Sequence, residues 1–424
     1  MNLNNPSLLL QTALSIFARF AGVGLNFAVA FIITRNLPVG EAGMIFMLMT
    51  LVTGVSLFSR LGLEQWIVRD VAGLPEETLH SAQAAHLRSA YKLLALSSVV
   101  FIGLWLLSSQ LLKSVLFDGE IHIGLLWIAA LGIFCFNLVM IHSAFMKAAH
   151  KVTESLLIQN ALPAVSMLLM TGVFWAIFTQ NQNYLWIYIT SLALAGAVSF
   201  LWVRPWWGEL RFQPALHSAR AVLEKSLPLA PVSFFAFLML WTDTLMTGAL
   251  MNNEDVALYT VAARLAFVSG FFLGALDATF YPRLLKIHKQ DPDRLKTLFW
   301  QASGLVLLIL GAVTFVLALL GSHLLAFFGT VYIQAAWALS LLLLAQLVRG
   351  LSLTFSFMFI IQERVKILNT LLFLALLVNI AANLFLIPQY GIEGAASATL
   401  LANLALTGGV VLLFFHQRLL GHYN

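Results

Sequence analysis

Five ionisable side chains, Arg19, Asp243, Arg264, Asp277 and Arg349, sit inside stretches otherwise made of apolar residues. In LMLWTDTLMTGALMNNEDVALYTVAARLAFV, residues 238–268, Asp243 lies nine residues before Asn252 and Arg264 nine after Asp255. On two antiparallel helices joined at NNED, both would lie about 14 Å from the turn. That is the geometry of an ion pair, which either locks two helices together or lines a polar cavity as a coupling group. Arg19 has no acid in its own apolar run and falls about 18 Å from the end of that run, near mid-membrane depth. Two readings stand for it: a partner on another helix, or a cavity that receives an anion, and the second is favoured. Arg349 fits the same reading. Arginine suits it because the guanidinium stays charged and its planar fork matches phosphate oxygens. Asp277, about 33 Å from the NNED turn, is placed at the opposite membrane face, where capping or snorkelling is expected.

The elements that must carry these charges follow from composition. The chain has 424 residues, of which 61% are hydrophobic and 10% charged. Soluble domains carry about 25% charged residues, so an all-α integral membrane protein is expected. A charge near the bilayer centre costs about 2.5–3.5 kcal/mol, which is why the five above demand explanation. Twelve runs reach the roughly 20 residues a transmembrane helix needs: 8–34, 40–63, 90–111, 121–146, 154–178, 183–203, 226–251, 255–281, 297–320, 332–361, 365–387 and 392–416. The first is too long for a signal-peptide core and is read as a retained helix.

Loop charges set the orientation. The even-numbered turns hold Arg60, Arg69, Arg88 and Lys92, then Lys147 and Lys151, then Arg204, Arg211, Arg220 and Lys225. Arg283, Lys286, Lys289, Arg294, Lys296, Arg364 and Lys366 continue the series, and Arg418 ends it. The odd turns hold Arg35 and Lys113 among acids such as Glu41 and Glu254. Lys and Arg collect in cytoplasmic loops, so the even turns and both termini are expected in the cytoplasm. The net charge of +5 is thereby spread over several short segments, and nucleic acid is not an expected partner. The long inner loops 64–89 and 204–225 have room for short amphipathic helices lying on the membrane surface.

The polar stretch RPWWGELRFQPALHSARAVLEKSLP divides the chain into two six-helix lobes, 1–210 and 211–424. Residues 40–54 weakly resemble 254–270, which suggests parallel repeats. Arg35, Glu41, Arg60 and Asp277, at the expected membrane faces, are candidate gate or interface residues. No catalytic residues, metal site or cofactor are assigned, and no enzyme activity is expected. His142 and His150 are read as interfacial, and Cys135, the single cysteine, forms no internal disulfide.

Five patches carry a resemblance: ITRNLPVGEAGMI (33–45), LGLEQWIVRDVA (61–72), TDTLMTG with DVALYTVAARL (242–248 and 255–265), ATFYPRLLKI (278–287), and NLFLIPQYGIEGAASAT (383–399). In this order they resemble bacterial Wzx-type flippases for lipid-linked oligosaccharide repeat units. These form the polysaccharide-transporter branch of the multidrug/oligosaccharidyl-lipid/polysaccharide (MOP) superfamily, whose fold is MATE-like. The resemblance implies two six-helix lobes forming a V around a central cavity. It also implies alternating access that carries an undecaprenyl-pyrophosphate-linked oligosaccharide of O-antigen, capsule or exopolysaccharide across the bacterial inner membrane. Arg19, Arg264 and Arg349 stand where cavity cations would meet the pyrophosphate, and Asp243 occupies the usual helix-seven acid. Membrane lipid, H+ or Na+, and a polysaccharide polymerase or chain-length regulator are the further partners considered. Ala257 departs from the family's usual glycine. A drug exporter of the same superfamily commonly has an acid and a proline in helix one, and this chain has neither there. A membrane-embedded glycan polymerase or ligase would need a large outer loop, and no outer loop exceeds about a dozen residues.

Overall fold

The computed structural model describes residues 6–72, 74, 79–117, 119–177, 184–206, 215, 217–288 and 292–417. The side chains of 6–13, 16, 79–80, 232, 271, 274–283, 286 and 292–293 fall outside that description. All the regular elements described are helical. Ten of these helices are long and apolar enough to cross a membrane, and the protein is a multi-pass membrane protein.

The chain divides into two compact units. The first comprises Met1–Asn36 and Met47–Phe237, the second Leu37–Phe46 and Leu238–Asn424. The boundary thus lies later than residue 210, and the first turns of the second helix go with unit 2. The physical reason for the later boundary is packing: Val222 and Leu223, in the expected linker, join the core of unit 1.

Unit 1 holds α1 (Pro6–Asn36), the later part of α2 (Val39–Ser59), α3 (Leu63–Val71), α4 (Leu79–Leu116) and α5 (Ile123–Ala148). It continues with α6 (Val152–Leu156), a π-helical turn (Leu157–Ala161), α7 (Leu162–Ile177), α8 (Tyr184–Val203) and α9 (Ala219–Ser226). The two short helices expected on the membrane surface, α3 and α9, are instead docked on protein. Leu63, Trp66, Ile67 and Val71 recur at helical spacing, and the face of α3 that they form is buried. It packs into a core with Leu87 of α4, Phe145 of α5 and Trp206. For the same reason α4 begins at Leu79, well before residue 90: Ala84, Leu87 and Ala90 belong to that core. Trp66 and Trp206 are therefore buried, and Trp105 is buried elsewhere on α4, where its ring N–H donates to the carbonyl of Leu126. Between α2 and α3 the chain turns through Leu61 and Gly62, both at positive φ. A Cβ on Gly62 would run into the carbonyl of Ser226, so the close approach of the α9 end requires glycine there.

Unit 2 holds α10 (Ala230–Leu250) from Leu238 onward, α11 (Asn253–His288), α12 (Pro292–Phe328), α13 (Ala336–Ile361) and α14 (Val365–His416). The expected run 255–281 lies within α11, and the runs 365–387 and 392–416 are both parts of α14. At 52 residues α14 would be about 78 Å long if straight, more than twice the hydrocarbon thickness. It is broken at Gly391, whose φ of 59° and ψ of −136° are not helical. The two arms then fold back on each other. Leu368 and Ala375 from one share a core with Leu406, Val410 and Phe414 from the other, and Phe414 stacks on Phe299 of α12.

Candidate functional site

Asp243 sits on α10 eight residues before Met251, about 12 Å from the turn into α11. It is only 5% exposed. Its Oδ1 accepts from the side-chain amides of Asn379 (2.9 Å) and Asn383 (2.6 Å). Its Oδ2 accepts from the hydroxyl of Tyr259 (3.0 Å) and from that of Thr399. Three elements converge to make this cluster. Asn379 and Asn383, four residues apart, share one face of the first arm of α14. The break at Gly391 returns the second arm so that Thr399 meets them: Asn383 lies eight residues before the break and Thr399 eight after it. The α10–α11 turn brings Tyr259 alongside in the same way.

All four donors are neutral. They fill the lone-pair sites of a carboxylate without cancelling its charge. The cluster therefore keeps a net negative charge on oxygen, the ligand type that a small hard cation prefers. Asn383 Oδ1 beside it is buried and has no hydrogen-bond partner among the described residues. Among the described residues no group of three His, Cys, Asp or Glu is placed to hold a metal ion.

The structure gives Asp243 different partners from the expected Arg264. The two side chains leave their helices toward different neighbours, Asp243 toward α14 and Arg264 toward Phe46 of α2. The Arg264 guanidinium lies 4.7 Å from the Phe46 ring centroid, within cation–π range. Arg19 on α1 and Arg349 on α13 are exposed on the protein surface, and neither side chain has a partner among the described residues. Arg35 is exposed at the end of α1, 5.7 Å from the Phe31 ring. Glu41 is exposed in the first turn of α2, where the helix dipole favours an acid. The side chain of Asp277 lies outside the described residues.

Arg60 is buried inside unit 1, where the sequence suggested a gate or interface position. It forms an ion pair with Glu64 and donates to Asn137 Oδ1 at 3.0 Å. Asn137 in turn donates to Ser59 (2.7 Å) and Ser98 (3.1 Å), tying α2, α3, α4 and α5 together. His142, expected at an interface, is fully buried, with Tyr91 and Ser199 each 2.6 Å from its ring nitrogens.

Sequence reasoning found Asp243 but not Tyr259, Asn379, Asn383 or Thr399. The available signal was two asparagines at i, i+4 spacing inside an apolar run, which is costly unless both amides are used.

A family described as polysaccharide biosynthesis protein matches residues 8–288. No curated protein matches the chain. Among solved structures, the lipid II flippase MurJ in an inward closed conformation matches with a TM-score of 0.71 and 16% identity, over 97% of this chain and 87% of that one. An inward-facing multidrug resistance MATE family transporter of the MOP superfamily matches with a TM-score of 0.72 and 14% identity, over 94% of each chain. A MOP superfamily transporter from Pyrococcus furiosus matches with a TM-score of 0.58 and 13% identity, over 96% of this chain and 95% of that one. At these identities the likeness is one of fold.

Proposed function

The chain belongs to the polysaccharide biosynthesis protein family, and from that premise we propose that it is a flippase for a lipid-linked oligosaccharide. The cargo is an undecaprenyl-pyrophosphate-linked repeat unit of O-antigen, capsule or exopolysaccharide. It moves from the inner to the outer leaflet of the bacterial cytoplasmic membrane by alternating access. One observation carries this reading. Arg19 is a permanent cation on a membrane-crossing helix, exposed and without a partner among the described residues. Exposure of such a charge to lipid alone is costly, whereas contact with an anionic headgroup offsets that cost. Arg349 repeats the arrangement in unit 2, and Arg264 supplies a second, half-buried cation there.

The Asp243 cluster is the coupling site in this scheme. Its charge, unneutralised by the four donors, is taken up by H+ or Na+, and the binding energy biases the conformations of unit 2. The test of the headgroup role is Arg19→Ala in a strain lacking the native gene. Surface polysaccharide is lost while the amount of protein in the membrane stays the same, and Arg19→Lys restores only part because it lacks the fork. Normal polysaccharide with Arg19→Ala refutes the role.

A further inference from the structure

A cavity of about 380 Å³ in unit 1 has no part in the scheme above. Its walls come from α3, α5, α6 and the π-helical turn, and its volume is at the lower end of the range for small-molecule sites. The charge pattern of the loops assigns this end of α5 to the cytoplasmic face. Lys147, in the last turn of α5, is part of the lining. Met140, seven residues earlier, lies about 10 Å deeper. By that assignment the cavity extends from the cytoplasmic end of α5 toward the membrane interior, where a polar lining calls for a polar occupant.

The lining is cationic. Lys147 has no partner among the described residues, and its side chain is exposed. Arg69 is 53% exposed and held 2.8 Å from its neighbour Asp70, which fixes one side of the guanidinium and leaves the other free. The acid in the wall, Glu64, already has its charge matched by buried Arg60. Neutral groups complete the surface: Ser143 donates to the backbone carbonyl of Ser155 at 3.0 Å, the Ser155 hydroxyl lies 3.0 Å from that of Ser143, and Gln159 projects from the π-helical turn. That turn buries Ile158 and Ala161 toward the protein while Gln159 stays exposed. Single π turns inserted in α-helices are frequent at functional sites.

We propose that this cavity binds a phosphate group at the cytoplasmic face, carried either by a membrane lipid headgroup or by a soluble phosphate ester. A guanidinium fork beside a lysine point charge and hydroxyl donors is the set that recognises phosphate oxygens. The proposal is independent of transport, because binding is measured without it.

The test uses the full-length purified protein and follows its thermal unfolding midpoint. One arm titrates inorganic pyrophosphate in detergent at constant ionic strength. The other adds phosphatidylglycerol to the protein in detergent, with diacylglycerol as the control that lacks phosphate. A rise with pyrophosphate alone identifies a soluble phosphate compound as the ligand, and a rise with phosphatidylglycerol alone identifies a headgroup. A rise in both arms identifies the phosphate group itself as what is recognised. The Lys147→Gln variant weakens apparent affinity roughly tenfold, as loss of a charge-assisted contact should, and adding Arg69→Gln removes the effect. Gln159→Trp keeps both charges but fills the cavity, and it also removes the effect. Lys225→Gln, elsewhere on the same face, leaves binding unchanged, and because the Gln159→Trp contrast reads this cavity rather than Arg19, failure here is distinguishable from failure of the flippase reading. Absence of a rise in both arms, or equal binding by the Gln159→Trp variant, overturns the proposal.

Discussion

Replacing Asp243 separates what its charge does from what its hydrogen bonds do. In Asp243→Asn the remaining carbonyl oxygen still accepts from Asn379 and Asn383. The new amide takes the place of Oδ2, where Tyr259 and Thr399 donate. Both are hydroxyls, and a hydroxyl rotates to accept as readily as it donates. Thr399 turns its proton to the carbonyl of Ala395, and one buried donor, the Tyr259 hydroxyl, is left without its acceptor, so the cost to stability is about 1–3 kcal/mol. Asp243→Leu behaves differently. Thr399 keeps the carbonyl of Ala395 and Asn383 keeps Asn379 Oδ1, but the buried donors of Tyr259 and Asn379 lose the carboxylate. At about 1–3 kcal/mol for each stranded donor, the loss comes to about 2–6 kcal/mol. Two assays then divide the outcomes. Thermal unfolding of the purified variants is expected to show the Asn variant between the parent and the Leu variant. Surface polysaccharide in a strain lacking the native gene is expected to be lost in both. Polysaccharide at the parent level with Asp243→Asn would remove the coupling role. An Asn variant as unstable as the Leu variant would show that the carboxylate charge itself holds unit 2 together.

Two other predictions concern the elements that hold the sites. Arg60→Met leaves Glu64 beside a buried network without its cation, a change of about 3–5 kcal/mol, so the membrane-inserted yield and the unfolding midpoint both fall; an unchanged midpoint would mean that the Asn137 network holds without the arginine. Gly391→Ala forces a side chain into backbone angles that only glycine adopts easily, at about 1–3 kcal/mol. Because that break brings Thr399 to Asp243, activity in this variant should fall further than the melting temperature suggests, measured by surface polysaccharide against unfolding of the same preparation.

The helical class and the position of nearly every long helix could be read from the chain, because an apolar run of some twenty residues in a bilayer has only one way to satisfy its backbone. Asp243, Arg19 and Arg349 were equally visible, since a charge in such a run has no ordinary reason to be there. The short helices α3 and α9 were visible as amphipathic segments but misplaced: an apolar face such as that of Leu63, Trp66, Ile67 and Val71 docks on lipid or on protein with similar hydrophobic gain. Depth along a helix follows from counting residues, so Asp243 and Arg264 were set level. Azimuth does not follow from counting. Only the folded structure set Asp243 against Asn379, Asn383 and Thr399 of the folded-back arms of α14, and Arg264 against Phe46. Sequence alone determined which residues are costly in a membrane. Tertiary structure decided which of them meet, because a partner over a hundred positions away is selected by the break at Gly391 and the side-chain packing around it.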